Sequence, residues 1–232
     1  GEPTQRILRL AACVGNHFDL GTLATVAEQD TARSTAELWD AVERGLVLPE
    51  DQSYGIAPTD ADGSPLDQRR FRFLHDRVQQ AAYAQIPAPD RRQAHLKVGR
   101  LLLARGGDAD RSEWLFDVVN HLNFGAELIT DPVERGRLAE LNLTAGRKAK
   151  ASAAFPAALS YFQLGVAALP PDAWETAGAL AFALNFEQAE AEYLTGRLEE
   201  AERSYAKLLQ HTADPLDRID VYMLIITQYE TT

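Results

Sequence analysis

Apolar and polar positions follow a helical period along most of the chain, and the exceptions lie before residue 90. The pattern predicts three helices over about 4–14, 20–28 and 35–44, the third capped by Ser34 or Thr35 and stopped by Gly45. A strand is predicted at 46–48. The polar, Gly- and Pro-containing residues after it, with a further strand at 54–56, predict a hairpin with a long tip that returns through a strand ending at Phe73.

This order of helices, strand, wing and strand is that of a winged-helix domain, which we place over residues 1–88, with a fourth helix behind the last strand. Residues 89–232 are predicted to be wholly helical. The predicted helices cover about 90–104, 112–128, 132–151, 154–169, 172–195, 198–211 and 215–230. The short breaks between them favour antiparallel neighbours stacked in a row, so the fold class is mainly α with a small β-hairpin.

The helical half contains an internal repeat of small and aromatic residues. The first copy has Gly146, Ala158, Phe162 and Pro170 at offsets 0, 12, 16 and 24, and the second has Ala189, Ala201, Tyr205 and Ala213 at the same offsets. These intervals match the tetratricopeptide (TPR) pattern, although the 43-residue spacing exceeds its usual length of about 34. We therefore expect TPR-like hairpins, with the helix from Pro215 as the first helix of a further repeat whose partner is missing.

The segment Phe73–Arg77 joins a strand to an amphipathic helix. Asp76 is predicted to cap that helix, and Gln79 three residues later would complete a capping box. His75, at the end of the strand, could then face a neighbouring site. The alternative is that Asp76 is only a cap and His75 a partly exposed strand end, and the residues alone leave both open.

Composition excludes several classes of protein. The net charge of -11 opposes a general nucleic-acid binder, because affinity for phosphates comes mainly from clustered Lys and Arg. The single cysteine, Cys13, lies in an apolar run, which predicts a buried, unreactive thiol and a reducing compartment. Neither a signal peptide nor an apolar run of membrane-spanning length is present, so we expect a cytoplasmic protein. The first residue is not methionine and the last helix pattern runs to the end, which suggests a segment of a longer polypeptide.

Motifs for catalysis, nucleotide binding or metal binding are absent from the sequence. It has no phosphate-binding loop, no Gly-x-Gly-x-x-Gly and no closely spaced metal ligands. We expect His95, His121 and His211 to be structural, hydrogen-bonded histidines. The glutamates of the last helices are expected mostly on solvated faces; they are Glu187, Glu190, Glu192, Glu199, Glu200 and Glu202.

The block Phe71–Tyr83 resembles the end of the winged-helix domain in STAND ATPases, the signal-transduction ATPases with numerous domains. Leu74-His75-Asp76 is similar to the Met-His-Asp motif of their NB-ARC branch, with leucine in place of methionine. The same block, with His121–Asn123 and Leu141–Lys150, also resembles the ATPase region of large bacterial multidomain signalling kinases. In that family an ATPase module precedes this region, and sensor and kinase modules follow it.

The resemblance implies a role for two residues. His75 would contact the phosphates of ADP bound to the preceding ATPase module of the intact parent, and Asp76 would order the turn. The segment itself would be non-catalytic and without a cofactor, while ATP or ADP would belong to the parent. Its implied partners are the upstream ATPase module, the downstream signalling modules, and a protein or inducer on the helical repeats, with no nucleic acid and no membrane.

Two other functions stay open from the sequence. One is a winged-helix transcription regulator with a helical ligand-binding half. Against it, residues 1–90 hold eight Arg and no Lys but fourteen Asp and Glu. The other is a hydrolase, which would require two carboxylates that converge in a cleft.

Overall fold

A computed structural model describes residues 1–50, 66–106 and 112–230. They are mainly helical with one three-stranded antiparallel sheet, which confirms the predicted helical class and small β-element. The chain forms two compact units, the first of residues 1–108 and 120–128 and the second of residues 109–119 and 129–232. The predicted domain division into residues 1–88 and 89–232 stays a prediction.

The first unit combines a small sheet with helices before, between and after its strands. Its elements are α1 (Glu2–Val14), β1 (His17–Asp19), α2 (Leu20–Ala27), α3 (Thr31–Glu43), β2 (Val47–Pro49), β3 (Arg70–Phe73), α4 (Asp76–Ala84), α5 (Ala88–Arg105) and the end of α6 (Ser112–Phe124). The strand order is β1-β3-β2, and both pairings are antiparallel. The predicted pairing of the two hairpin strands is thus confirmed, while the tip and the strand expected at 54–56 lie outside the described residues. Strand β1 was not predicted, because three residues are too few to show a period of two.

Three phenylalanines form the centre of the first unit. Phe71 and Phe73 project from β3 into the core, whereas Arg72 between them is only half-buried. Phe18 of β1 stacks on Phe71 with ring centroids 6.0 Å apart. The alternation predicted for β3 is therefore present, and it fixes the face of the sheet that α1 and α2 cover.

Aspartates cap α2 and α3, and neither Ser34 nor Thr35 acts as the predicted cap. Asp30 caps α3, since its Oδ1 accepts a hydrogen bond from Arg33 N at 2.7 Å. Helix α3 therefore starts four residues earlier than predicted, with Ser34 and Thr35 buried within it. Asp19 caps α2 in the same way, by accepting from Thr22 N at 2.7 Å. The predicted start of α3 was wrong because Ser and Thr are common helix caps, and the sequence does not distinguish a cap from a hydroxyl residue on the buried face of a helix.

The second unit is built from helices. They are the start of α6, then α7 (Pro132–Ala151), α8 (Phe155–Ala168), α9 (Ala173–Thr176), α10 (Gly178–Leu194), α11 (Leu198–His211) and α12 (Pro215–Glu230). The helix predicted over 172–195 is two helices, because the backbone leaves helical geometry at Ala177. The helix predicted over 112–128 ends at Phe124 and is followed by a 3₁₀ turn.

Small residues let these helices approach closely. A Cβ added at Gly146 of α7 would overlap the ring of Phe162 from α8, and one added at Gly165 would overlap Leu184 of α10. The helix-forming members of both repeat copies are buried, namely Gly146, Ala158, Phe162, Ala189, Ala201 and Tyr205. At Gly146 an aromatic ring therefore occupies the space that the missing side chain leaves on the neighbouring helix.

The structure extends the 43-residue spacing to three buried amides. Asn142 and Asn185 occupy equivalent places in α7 and α10, and each Nδ2 donates to the carbonyl four residues earlier, at 2.9 and 2.7 Å. Gln228 of α12 follows 43 residues later, is also buried, and accepts a hydrogen bond from the Tyr205 hydroxyl. Helix α12 thus shares the register of α7 and α10.

Gly146→Ala is expected to destabilise the protein although alanine favours helices. The added methyl would overlap a fully buried ring, at a cost of about 1–3 kcal/mol. Gly136 of the same helix has open space around its Cβ position, so Gly136→Ala should stabilise by about 0.5–1 kcal/mol. Urea unfolding followed by circular dichroism compares the two variants, and equal effects would contradict the close packing at Gly146.

Candidate functional site

The junction between β3 and α4 brings the chain from the core to the surface within one residue. Phe73 is 1% exposed, whereas Leu74, His75, Asp76 and Arg77 are all exposed. Leu74 N donates to Leu46 O at 3.0 Å, which holds the junction against the segment before β2. The exposed segment is therefore supported by buried strand residues and by a backbone hydrogen bond.

Asp76 is not the cap of α4, and the predicted capping box is wrong. The backbone stays extended through His75, which is the N-cap residue and makes no side-chain cap hydrogen bond. Its carbonyl accepts from Val78 N at 2.9 Å and so begins the helix one residue earlier than predicted. Gln79 instead donates from Nε2 to Ala12 O of α1 at 3.2 Å. Asp76 lies in the first turn, where its negative charge interacts favourably with the positive end of the helix dipole.

His75 and Asp76 therefore lie side by side on the surface at the start of α4. An exposed imidazole there can donate a hydrogen bond to an anionic group that another module presents. The predicted contact between His75 and nucleotide phosphates, and the ordering role of Asp76, stay predictions.

Behind α4 the structure brings together three polar rings that the sequence did not connect. Tyr83 of α4 lies with its hydroxyl 3.0 Å from His95 Nε2 of α5. His95 Nδ1 lies 2.8 Å from His121 Nδ1 of α6. We call these residues the Tyr83–His95–His121 chain. The sequence does not indicate these contacts, because the three residues lie on three helices and are separated by 12 and 26 residues.

Each contact in this chain requires one of its two groups to donate a proton. A neutral imidazole carries one N–H and one acceptor nitrogen, so one histidine donates to the other, and the Tyr83 hydroxyl donates to His95 or accepts from it according to the tautomer. Both histidines make the hydrogen bonds expected of structural residues.

One proton occupies the bond between the two imidazoles, so the bond is lost when both rings are protonated, because two N–H groups would then face each other. Burial and the neighbouring His121 lower the pKa of His95 to about 4. Burial also lowers the pKa of His121, although the Val14 carbonyl opposes the shift. Both rings are therefore held neutral at pH 7.

A groove of about 300 Å³ opens beside the Tyr83–His95–His121 chain, and Cys13 and Gln79 also line it. Burial raises the pKa of the Cys13 thiol to about 12, so the thiolate needed for nucleophilic chemistry is not formed at neutral pH. This confirms the predicted buried cysteine. A second groove of about 320 Å³ lies between α1 and α4 and is lined mainly by apolar side chains, including Leu8 and Val78.

Two glutamates of α10 do not lie on a solvated face as predicted. Glu187 and Glu192 are only 7% and 3% exposed. Arg147 Nε lies 2.6 Å from Glu187, and Lys150 Nζ lies 2.5 Å from both Glu187 and Glu190. Burial opposes the charge of Lys150, but its hydrogen bonds to these carboxylates raise its pKa. The cations come from α7, 40 residues earlier, which is why the pattern within α10 did not show this ion cluster.

Two features are absent from the described parts of the chain. Within them, no three His, Cys, Asp or Glu side chains are grouped as a metal site would require. No helix among the same residues combines the length and the apolar character needed to cross a membrane.

The chain is similar to the hybrid signal transduction histidine kinase G of Dictyostelium discoideum, at 29% identity over 251 aligned residues. The match covers 89% of this chain and 7% of that protein, so the chain spans a small part of the length of its relative. Family models and solved structures give no match.

Acidification is expected to destabilise the protein through His95. The pKa of His95 in the folded protein is about 4, below the usual 6.5. Neutral His95 therefore contributes fully to the free energy of unfolding above pH 6.5, and this contribution is lost as the pH falls towards 4. Allowing for partial solvent exposure, the loss should be about 2–3 kcal/mol. Urea unfolding at several pH values measures it.

His95→Gln should flatten this pH dependence between 6.5 and 4, because the titrating ring is removed. His211→Gln is the matched control, since His211 belongs to the second unit and stacks on Trp174 there. An unchanged slope in His95→Gln would contradict the assignment.

Proposed function

We propose that the chain is a non-catalytic regulatory segment of a multidomain signal-transduction protein. In this proposal, a winged-helix-like domain passes the nucleotide state of a separate ATPase module to TPR-like helices that bind a protein or an inducer. His75 senses the phosphates of ADP or ATP, and Asp76 orders the turn beside it. The segment needs no cofactor of its own, contacts neither nucleic acid nor membrane, and acts in the cytoplasm.

Similarity to a hybrid signal transduction histidine kinase supports a signalling role. The match extends over most of this chain, so it includes both the residues around His75 and the helical half. The STAND-type assignment has a second support, which is the block Phe71–Tyr83 and its resemblance to the Met-His-Asp motif.

The observation that carries the proposal is the exposed junction at His75. The central strand is anchored by Phe71 and Phe73, and the next four residues are exposed. A histidine on such a support is accessible to a ligand on another module and is held in place by the core beneath it. A contact made in only one arrangement of the modules would bias the protein towards that arrangement.

The order of elements supports a winged-helix-like assignment for the first domain. Three helices and a first strand precede an antiparallel hairpin whose second strand is central in the sheet. For the helical half, the 43-residue register of buried small, aromatic and amide residues supports TPR-like hairpins. Stacked hairpins of this kind offer extended surfaces for protein or ligand recognition.

A winged-helix transcription regulator is the second candidate, and the charge of α3 opposes it. This helix takes the place of a recognition helix, yet it carries Glu37, Asp40 and Glu43. Arg33 and Arg44, the two arginines on or next to it, are paired with Glu37 and Asp40. Little positive charge is left there for phosphate contacts.

The nucleotide role is tested in the intact parent protein with His75→Ala. Loss of the phosphate contact should release ADP at least about tenfold faster and shift signalling output, since a hydrogen bond to a charged group contributes about 1.5–3 kcal/mol. Arg77→Ala, at the same exposed junction, is the control. If His75→Ala left both ADP retention and output unchanged, the role of His75 would be wrong.

DNA binding is tested by fluorescence anisotropy with labelled duplex DNA at low salt. Because the chain carries a net charge of -11, we expect no saturable binding at micromolar protein. Tight binding that weakens steeply with salt would favour the transcription regulator.

A further inference from the structure

The groove between α1 and α4 combines an apolar lining with two positive charges. Its apolar part includes Leu8, Val78 and Ala81, and its charged residues are Arg9 of α1 and Arg77 of α4. No carboxylate is among the described residues that line it, although the chain has 34 Asp and Glu against 23 Lys and Arg. The groove is therefore a locally cationic surface on an acidic chain.

Both arginines are open to an external carboxylate. Arg9 Nε donates to Gln5 O at 3.3 Å within its own helix, and this bond does not use the two terminal nitrogens. Among the described residues, no carboxylate pairs with Arg9 or with Arg77. An unpaired guanidinium forms short, charge-assisted hydrogen bonds with a carboxylate. The groove thus complements a ligand that carries carboxylates beside apolar groups.

The walls of the groove favour a helix as that ligand. Both walls are helices, α1 and α4, and side-chain ridges of a third helix fit the groove between two others. An amphipathic helix that lays its apolar face into such a groove is a recurring mode of recognition. Glutamates on either side of its apolar stripe would then face Arg9 and Arg77.

We propose that this groove binds an acidic amphipathic helix of a separate partner protein. The pairing goes beyond the proposed nucleotide sensing and does not depend on it. Few side chains fit in about 320 Å³, so the complex forms at micromolar or higher concentration and dissociates readily, as transient signalling contacts do.

Fluorescence anisotropy with two labelled peptides of about 18 residues tests the pairing. Both peptides carry leucines at helical spacing, flanked by glutamates in one and by lysines in the other. The lysine peptide should bind at least about tenfold more weakly than the glutamate peptide. The net charge of -11 favours the lysine peptide on the rest of the chain, so a preference for glutamate identifies the groove.

Arg9→Glu should reverse this preference. The glutamate peptide should lose at least about tenfold in affinity, because like charges then face each other, and the lysine peptide should gain. Arg203→Glu is the matched control, since Arg203 is an exposed arginine of the second unit and the charge change is the same. It should leave the preference for the glutamate peptide unchanged. Arg77→Ala should weaken the glutamate peptide and leave ADP release unchanged, so this pairing and nucleotide sensing are measured separately.

Three results overturn the proposal. One is the absence of saturable binding of the glutamate peptide at several hundred micromolar protein. Another is equal binding of the two peptides, or equal effects of Arg9→Glu and Arg203→Glu. The third is a dimer in sedimentation velocity without peptide that Arg9→Glu disrupts, because the groove would then hold a second copy of the chain. Circular dichroism of each variant separates a lost contact from a lost fold.

Discussion

Burial of the phenylalanines on the central strand is the constraint on which the first unit depends. Phe71 and Phe73 must lie in the core, and Phe18 packs against both. Since successive side chains of a strand point to opposite faces, these two positions fix the register of both neighbouring strands. They also fix where the chain leaves the core, and so the position of His75 follows from packing in β3.

Close approach between helices plays the equivalent part in the second unit. A missing side chain at Gly146 and a small one at Ala189 admit aromatic rings from the next helix, and the same spacing recurs with the buried amides. A buried charge likewise depends on a neighbouring helix, because Glu187 of α10 is paired with two cations of α7. Each helix therefore depends on its neighbour for both shape and charge.

Most helices and the β2–β3 hairpin could be predicted from the sequence, because period and turn residues are local signals. Local signals failed where a contact crosses the chain. Asp76 resembled a cap only until the extended backbone at His75 was known, and Glu187 resembled a surface residue until Lys150 lay beside it. The exposed place of His75 could be predicted, whereas the Tyr83–His95–His121 chain could not, since three helices supply it.

The single proton between His95 and His121 has a consequence for observing this protein. Its hydrogen bond joins helices α5 and α6 inside the first unit. A ring proton held in such a bond exchanges slowly with water and gives a separate resonance at low field in proton spectra. That signal would therefore report, without any label or added ligand, whether these two helices are still packed together.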